Sequence, residues 1–559
     1  MASTKIDPSS FDRTDIVRYQ DEPDMLPSDI IFQRLHYSAC HQNGSAVKEE
    51  HLGLDVSYAQ LLCDVIHQKQ KLLKALNEQT LLKLSADEEV AFVIIARGYD
   101  FVVALFAVLA VGGIAVPTSH HVTLDEVRHI ARTCRAHGVV HSRGFEQLTA
   151  TIDDGTMFHG LAHVPIERMI PTRTLEVLRT VRFFAGRSRD PNKPAVIIFT
   201  SGTTGKPKGA ALRRHSVLSI SLAQVWKNDI NGHFVALQLL PTHHATGLLV
   251  NTFPTLIGGG CVEFTRPKFD AAITWERIRR RGIKSLSAVP TIYVRLLQHW
   301  GQELEKSDSR EEYRAGMCAV EQFHCGSAAL PRHISSKWSE AFPGTRIIER
   351  YGGTEFGNPF GNQRGGQLVP GSVGAQNPGV ESYLENGHEG EIHVRSPTMF
   401  SKYVYDIEGT RASLTPEGFF KTGDVAEKID GHFFIKGRKS VDILKTGGYK
   451  VSALDIEREI LQHPKVAEAI VVGLDDAEFG QRIAAAVVLH ELYKSLSLQE
   501  LRDDLRPKLS RYKLPTVLRV VPDLKKTASL KIPKALIKKE LFETGHPDVQ
   551  RWENPSAKL

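Results

Sequence analysis

The chain has 559 residues, of which 70 are basic and 64 acidic, for a formal net charge of +6. That length exceeds what a single hydrophobic core holds, so at least one large domain and one smaller one are expected. With 42% apolar and 24% charged residues the composition is that of a globular chain, and so thin a positive excess suits anionic small ligands but excludes a nucleic-acid surface as the organising feature.

Taken in order, residues 1–27 are polar and mixed in charge, carry no secretory signal, and are expected to form an irregular leader. From 28 to 437 apolar strand-like runs alternate with helical patterns: EVAFVIIA, PAVIIFT, HFVALQLLP and CVEF are the clearest strands. Such alternation predicts a large, layered α/β domain. The run Phe101–Pro117 approaches a membrane span in length, but Gly112-Gly113 divides it. It therefore reads as a buried helix followed by a short core strand, with no membrane span. The stretch SVGAQNPGVESYLENGHEGEIHVRS has short β-like pieces between turn residues and predicts a β-rich subdomain. After Gly437-Arg438 the pattern changes to helix, turn, strand, strand, helix, which predicts a small α+β domain over 438–545. Residues 546–559 read as a loose polar tail. The six cysteines, at 40, 63, 134, 261, 318 and 325, include no CxxC pair. Free thiols in a reducing compartment follow, and a Cys/His metal site does not.

The string Thr200-Ser201-Gly202-Thr203-Thr204-Gly205-Lys206-Pro207-Lys208-Gly209 comes directly after the strand AVIIF. Glycines allow backbone N–H groups to approach phosphate oxygens, hydroxyls add donors, and Lys206 and Lys208 add charge. This is not a Walker A loop, because only two residues separate Gly202 from Gly205 and Pro207 follows Lys206.

This string resembles the signature of the adenylate-forming superfamily, which includes acyl-CoA synthetases, luciferases and peptide-synthetase adenylation domains. Further matches follow in the order that family has them: Gly326-Ser327-Ala328-Ala329-Leu330-Pro331, Tyr351-Gly352-Gly353-Thr354-Glu355, Lys421-Thr422-Gly423-Asp424, Gly437-Arg438, Gly447-Gly448-Tyr449-Lys450-Val451 and Lys531. The resemblance covers about residues 30–545 and implies a large N-terminal domain with a mobile C-terminal lid. It also implies a two-step reaction, acyl-adenylate formation from ATP and then thioester formation with coenzyme A. By resemblance, Thr200, Ser201, Gly202, Thr203, Thr204, Gly205, Lys206 and Lys208 hold the β- and γ-phosphates. Thr354 contacts the α-phosphate and Glu355 is a ligand of Mg²⁺. Asp424 and Arg438 take the ribose. Gly326, Ser327, Ala328, Tyr351, Gly352 and Gly353 shape the adenine slot. Lys531 serves adenylation, while Gly447, Gly448 and Lys450 face the thioester step. Leu530 stands where the family usually has glycine. A non-catalytic adenylate-binding relative is the alternative that this departure leaves open.

Within the superfamily, GSAALP, ERYG and KTGGYKVSALDIEREIL look most like malonyl-CoA synthetases. There, an arginine before the Tyr-Gly motif, here Arg350, helps bind the free carboxylate of a dicarboxylic acid. A structural salt bridge with Glu349 or another acid is the other reading of Arg350. His244, in the stretch that lines the acyl pocket of this family, is a candidate acyl contact. A medium-chain or specialised acyl-CoA ligase of secondary metabolism fits the same motifs. No carrier-protein segment follows the C-terminal domain, which disfavours a peptide-synthetase module, and GxSxG is absent around Ser327. The terminal Ala557-Lys558-Leu559 is close to the Ser-Lys-Leu peroxisomal address, so a peroxisomal import receptor is an expected partner and the peroxisome, otherwise the cytoplasm, the expected location.

Overall fold

The computed structural model describes residues 25–152, 161–169, 181–184, 189–200, 207–362, 368–446, 449–526, 533–543 and 546–552. The apolar runs that read as strands form two seven-stranded sheets. The first has the order Lys402–Tyr403, Lys208–Arg213, Pro194–Thr200, Ile114–Pro117, Ala91–Ile95, Gly138–His141, Ala162–Pro165. The last five strands are parallel, Lys208–Arg213 adds antiparallel to them, and Lys402–Tyr403 pairs antiparallel to Lys208–Arg213. The second sheet has the order Ile347–Glu349, Gln322–Cys325, Ser285–Ala288, Val235–Gln238, Cys261–Phe264, Ser45–Glu49, Leu54–Ser57. All but the last strand run parallel. Parallel strands must be covered on both faces, which is why they read as unbroken apolar runs.

The Phe101–Pro117 stretch is part of that cover. It becomes the helix Gly98–Val111 and the strand Ile114–Pro117. The helix touches strands of both sheets and is buried on nearly every face. Gly112 ends it at φ +82°, where a Cβ would strike the Arg189 guanidinium, so only glycine closes this turn. No described helix is long and apolar enough to cross a membrane.

The glycine- and turn-rich middle forms a third, antiparallel sheet: Tyr351–Gly353, Gly357–Gly361, Ala375–Gln376, His432–Arg438, Phe420–Ile429, Glu389–Arg395, Glu381–Leu384. A fourth sheet begins at Ile443 and contains the long hairpin Val466–Asp476/Gly480–Leu489, flanked by the helices Ala453–Ile460 and Leu498–Leu505. All six cysteines are free.

Both termini differ from their sequence reading where they are described. Met25–Pro27 is a strand, not irregular, because it pairs in parallel with Arg182–Phe184. The tail is docked as far as Trp552: Gln550–Arg551 pairs with Val517–Val520, and Arg502 lies 4.1 Å over the Trp552 ring. Main-chain pairing outweighs the polar composition there, since each bonded group escapes the penalty of an unmet partner. The tripeptide Ala557-Lys558-Leu559 lies outside the described residues.

The segment between the third and fourth sheets is pinned by charge. The Arg438 N–H donates to Asp442 Oδ2 at 2.8 Å. Lys534 Nζ lies 2.5 Å from the other Asp442 oxygen and 2.7 Å from Glu457 Oε1, with all three side chains largely buried. Removing the cation would leave two neighbouring buried carboxylates uncompensated. Lys534→Met is therefore expected to cost about 3–5 kcal/mol of stability, read as a lowered urea midpoint for the C-terminal unit, with partial recovery on adding Glu457→Gln.

Candidate active site

Several of the sequence motifs meet where strands of the first and third sheets end. Thr200 closes the strand Pro194–Thr200 and pairs across with Lys208. The short strand Lys402–Tyr403 lies on the other side of Lys208–Arg213, held by Ser401 N–H to Ala211 O at 2.7 Å. Phe400 N–H donates to Glu355 O at 2.8 Å, which draws the turn after Tyr351–Gly353 to the same place. As a result the Tyr403 hydroxyl donates to Glu355 Oε1 at 2.9 Å, with the Thr200 hydroxyl 3.5 Å from the same oxygen. Burial and the adjacent Glu355 carboxylate push the Tyr403 hydroxyl well above its usual range, so it stays a donor. Thr354 sits beside Glu355 in this turn. Gly352 is required by the hairpin itself, because a Cβ would lie 2.3 Å from Gly357 O.

Lys208 points its ammonium at Asp406 Oδ2, 2.8 Å away, and over the Tyr403 ring at 5.3 Å. Both partners of this ion pair are exposed, and exposed pairs hold weakly. The Lys208 charge can therefore leave Asp406 for a stronger anion. Ser201, Gly202, Thr203, Thr204, Gly205 and Lys206 lie outside the described residues.

Asp424 and Arg438 are directly opposite each other in the third sheet. Arg438 Nε donates to Asp424 Oδ1 at 3.0 Å, and the Tyr351 hydroxyl donates to Oδ2 at 2.9 Å. Each carboxylate oxygen keeps a second lone pair for an outside hydroxyl. Tyr351 is fixed from behind by near-parallel stacking on Phe360, at 5.7 Å, and Phe360 stacks on Phe433 at 3.8 Å. Ser327, in the turn after Gln322–Cys325, has φ +69°, a conformation costly for a residue with a Cβ and concentrated at functional turns. Gly326 in this turn lies against Arg350, whose carbonyl oxygen is 3.4 Å from the position of a Cβ.

Arg350 links the second sheet to the third, its N–H bonded to Cys325 O at 2.8 Å. The salt bridge to Glu349 is not formed: Glu349 Oε2 accepts instead from Leu330 N–H at 3.1 Å. Consecutive residues of a strand face opposite sides, and among the described residues no carboxylate lies within ion-pair distance of Arg350. Its Nη2 reaches only Asn228 Oδ1, at 3.4 Å, and Nη1 is buried without a partner. Burial lowers the guanidinium to about 10, which leaves it charged at neutral pH. Lys227 and His324 lie beside it, and the sequence reading named neither. His324 immediately precedes the Cys325-Gly326 turn and could have been found from that position, whereas Lys227 ends a helix without a motif.

His244 lies against His243, with ring centroids 4.3 Å apart and planes tilted by 46°. Burial, with His244 and His120 as neighbours, lowers His243 to about 3, so it is a neutral ring. Lys450 is exposed, in the hairpin that pairs it with Lys445. Gly447, Gly448 and Lys531 lie outside the described residues.

The layered fold, the hydroxyl- and lysine-bearing strand ends and the carboxylate placed for a ribose define an adenylate-forming enzyme. The chain belongs to the AMP-binding enzyme family, which it matches over residues 74–404, with the AMP-binding enzyme C-terminal domain over 455–531, and it is an acyl-CoA synthetase. It is 34% identical over 475 residues to a malonate–CoA ligase of Arabidopsis thaliana, covering 79% of this chain and 76% of that one. It is 33% identical over 497 residues to the mitochondrial malonate–CoA ligase of Homo sapiens, covering 82% and 84%. Among solved structures, ATP-bound MatB from Rhodopseudomonas palustris superposes with a TM-score of 0.78 at 26% identity, covering 92% of this chain and 99% of that one.

Lys208→Ala is expected to lower acid-dependent pyrophosphate–ATP exchange about 100-fold or more, the usual cost of one electrostatic contact to developing charge. The unfolding midpoint should barely move, because the Lys208–Asp406 pair is exposed. Unchanged exchange would remove Lys208 from the phosphate site.

Proposed function

We propose that the enzyme joins a short dicarboxylic acid, malonate foremost, to coenzyme A with cleavage of ATP to AMP and pyrophosphate. The observation that carries this is the buried Arg350 guanidinium, which has no carboxylate partner among the described residues and adjoins the Tyr351 slot. A buried cation is costly unless an anion meets it, and a planar carboxylate fits the guanidinium fork. The acid's far carboxylate is that anion. Relatives named malonate–CoA ligase support the same reading, as does the ternary product complex of a malonyl-CoA ligase with methylmalonyl-CoA and AMP, which superposes with a TM-score of 0.58 at 28% identity and covers 86% of this chain and 96% of that one.

In the first step the free near carboxylate attacks the α-phosphorus of ATP, the bond to the bridging oxygen breaks, and pyrophosphate leaves. Tyr351, Asp424 and Arg438 orient the adenosine, and Lys208 and the Thr200 hydroxyl steady the leaving phosphates. Glu355 suits a Mg²⁺ ligand: Tyr403 and Thr200 fix one oxygen and leave the other open, and this ion takes few protein carboxylates alongside phosphate oxygens. When bound, the ion neutralises phosphate charge. Lys531 is assigned to this step by its place in the motif order. In the second step the coenzyme A thiol attacks the acyl carbon, a thioester forms and AMP departs, with the Gly447, Gly448 and Lys450 segment assigned to the thiol side.

Malonate is expected to be activated better than propionate, and Arg350→Leu to reverse that order. The change in selectivity should be tens-fold or larger, because losing a buried charged partner costs about 2–5 kcal/mol. AMP release measured with both acids tests this. Medium-chain monocarboxylic acids outperforming malonate on the unmodified enzyme would reject the dicarboxylate and favour a specialised acyl-CoA ligase.

A further inference from the structure

Arg350 is not alone. Three side chains able to carry or donate protons converge where the second and third sheets join, from three separate elements. Arg350 comes from the junction itself, His324 from the strand Gln322–Cys325, and Lys227 from the last position of the helix Arg214–Lys227. Among the described residues, neither ring nitrogen of the buried His324 is bonded, and Arg350 Nη1 is likewise unpartnered. Lys227 forms no hydrogen bond or ion pair among the described residues. Its ammonium stands against Gly361, where an added Cβ would lie 2.7 Å from it, with Asn377 Oδ1 next at 3.2 Å.

Among the described residues, the neighbouring groups supply no negative charge. The Tyr293 hydroxyl donates to the carbonyl oxygens of Leu286 and His324, at 3.1 and 3.0 Å. Asn228 offers one neutral amide oxygen to Arg350 and uses its own amide on Gln224. Arg350 acts on both Lys227 and His324, and Lys227 on His324 as well. Burial and then Arg350 lower Lys227 to about 8, and burial followed by Arg350 and Lys227 holds His324 well below the usual histidine range. The ring is thus neutral, with an N–H to give. Two cations held together against their own repulsion, with unspent donors between them, describe a place prepared for an anion that arrives from outside.

We propose that Lys227 and His324 complete the subsite for the acid's far carboxylate, Lys227 as its second cation and His324 as a neutral N–H donor. This rests on the reading that Arg350 receives that carboxylate. The carboxylate has more lone pairs than one guanidinium fork uses, so a lysine at its flank and an imidazole beneath satisfy the remainder. The arrangement ties acid selectivity to the helix Arg214–Lys227 as well as to the Arg350 junction.

The test measures kcat and KM for malonate and for propionate by pyrophosphate release, on the unmodified enzyme and on Lys227→Met, Lys227→Arg and His324→Leu. Lys227→Met is expected to raise the malonate KM about tenfold or more, with propionate nearly unchanged, and Lys227→Arg to restore most of the loss. His324→Leu should also raise the malonate KM, by a smaller factor. An equal loss for both acids in Lys227→Met, or no loss for malonate, overturns the proposal for Lys227. An unchanged malonate KM in His324→Leu overturns it for His324. If Lys227→Met does not fold, Lys227→Gln removes the charge while keeping a polar end and is judged by the same ratio. Should the unmodified enzyme fail to prefer malonate, the dicarboxylate reading itself falls. A malonate preference undiminished by loss of Lys227 removes only the second cation.

Discussion

A carboxylate and a triphosphate repel each other when brought to bonding distance. Two unit charges 4 Å apart cost about 1 kcal/mol in water and about 4 kcal/mol near a protein surface, and the triphosphate carries several. The site must therefore offset that repulsion with fixed donors and cations before the acid arrives. The first and third sheets serve this need by ending several strands close together. Thr200, Lys208, Glu355 and Tyr403 meet there although they lie up to about 200 residues apart in sequence. Strand ends, unlike loops alone, are held by ladders of main-chain bonds, so these groups need little reorganisation when charge develops.

The cations are handled in two ways. Lys208 and Arg438 rest on carboxylates, Asp406 and Asp424, in pairs exposed enough to be exchanged or shared when a nucleotide arrives. Arg350, His324 and Lys227 have no such resting partner among the described residues. The first arrangement suits a ligand carrying many charges that dominates any weak pair. The second suits a ligand carrying one carboxylate at its far end, because a competing protein carboxylate would cancel the attraction. The stabilisation forgone by leaving Arg350 and Lys227 unpaired must come from elsewhere, and the helix Gly98–Val111, buried on nearly every face and touching the first and second sheets, contributes apolar burial for it.

The third sheet links the nucleotide to the acid. Tyr351 takes one oxygen of Asp424, and its neighbour Arg350 is the residue proposed above for the acid's far carboxylate. Stacking through Phe360 to Phe433 fixes Tyr351 and, through it, the backbone that carries Arg350. A shift at either residue therefore moves both subsites.

Much of this was legible in the sequence. The strands AVIIF and CVEF, the division of Phe101–Pro117 by two glycines, the change after Arg438 and the ordered motifs all depend on local pattern, which strand and helix periods impose directly. The motif residues Thr200, Lys208, Tyr351, Glu355, Asp424 and Arg438 follow from the resemblance of the ordered motifs to those of the family. Other features were decided by contacts between distant segments. The tail pairs with Val517–Val520 and Met25–Pro27 with Arg182–Phe184, because an open strand edge accepts any extended segment that reaches it, whatever its polarity. Tyr403 and Asp406 join the site through a strand pairing nearly 200 residues from its partner. Whether Arg350 pairs with Glu349 depended on which face of the strand each occupies, and whether Lys227 and His324 belong to the site depended on how a helix end meets a sheet. Local sequence sets the type of each element and the chemistry it carries. Which side chains come within a hydrogen bond of one another is set by packing between elements, and a charge left without a partner can be recognised only once all of its neighbours are in place.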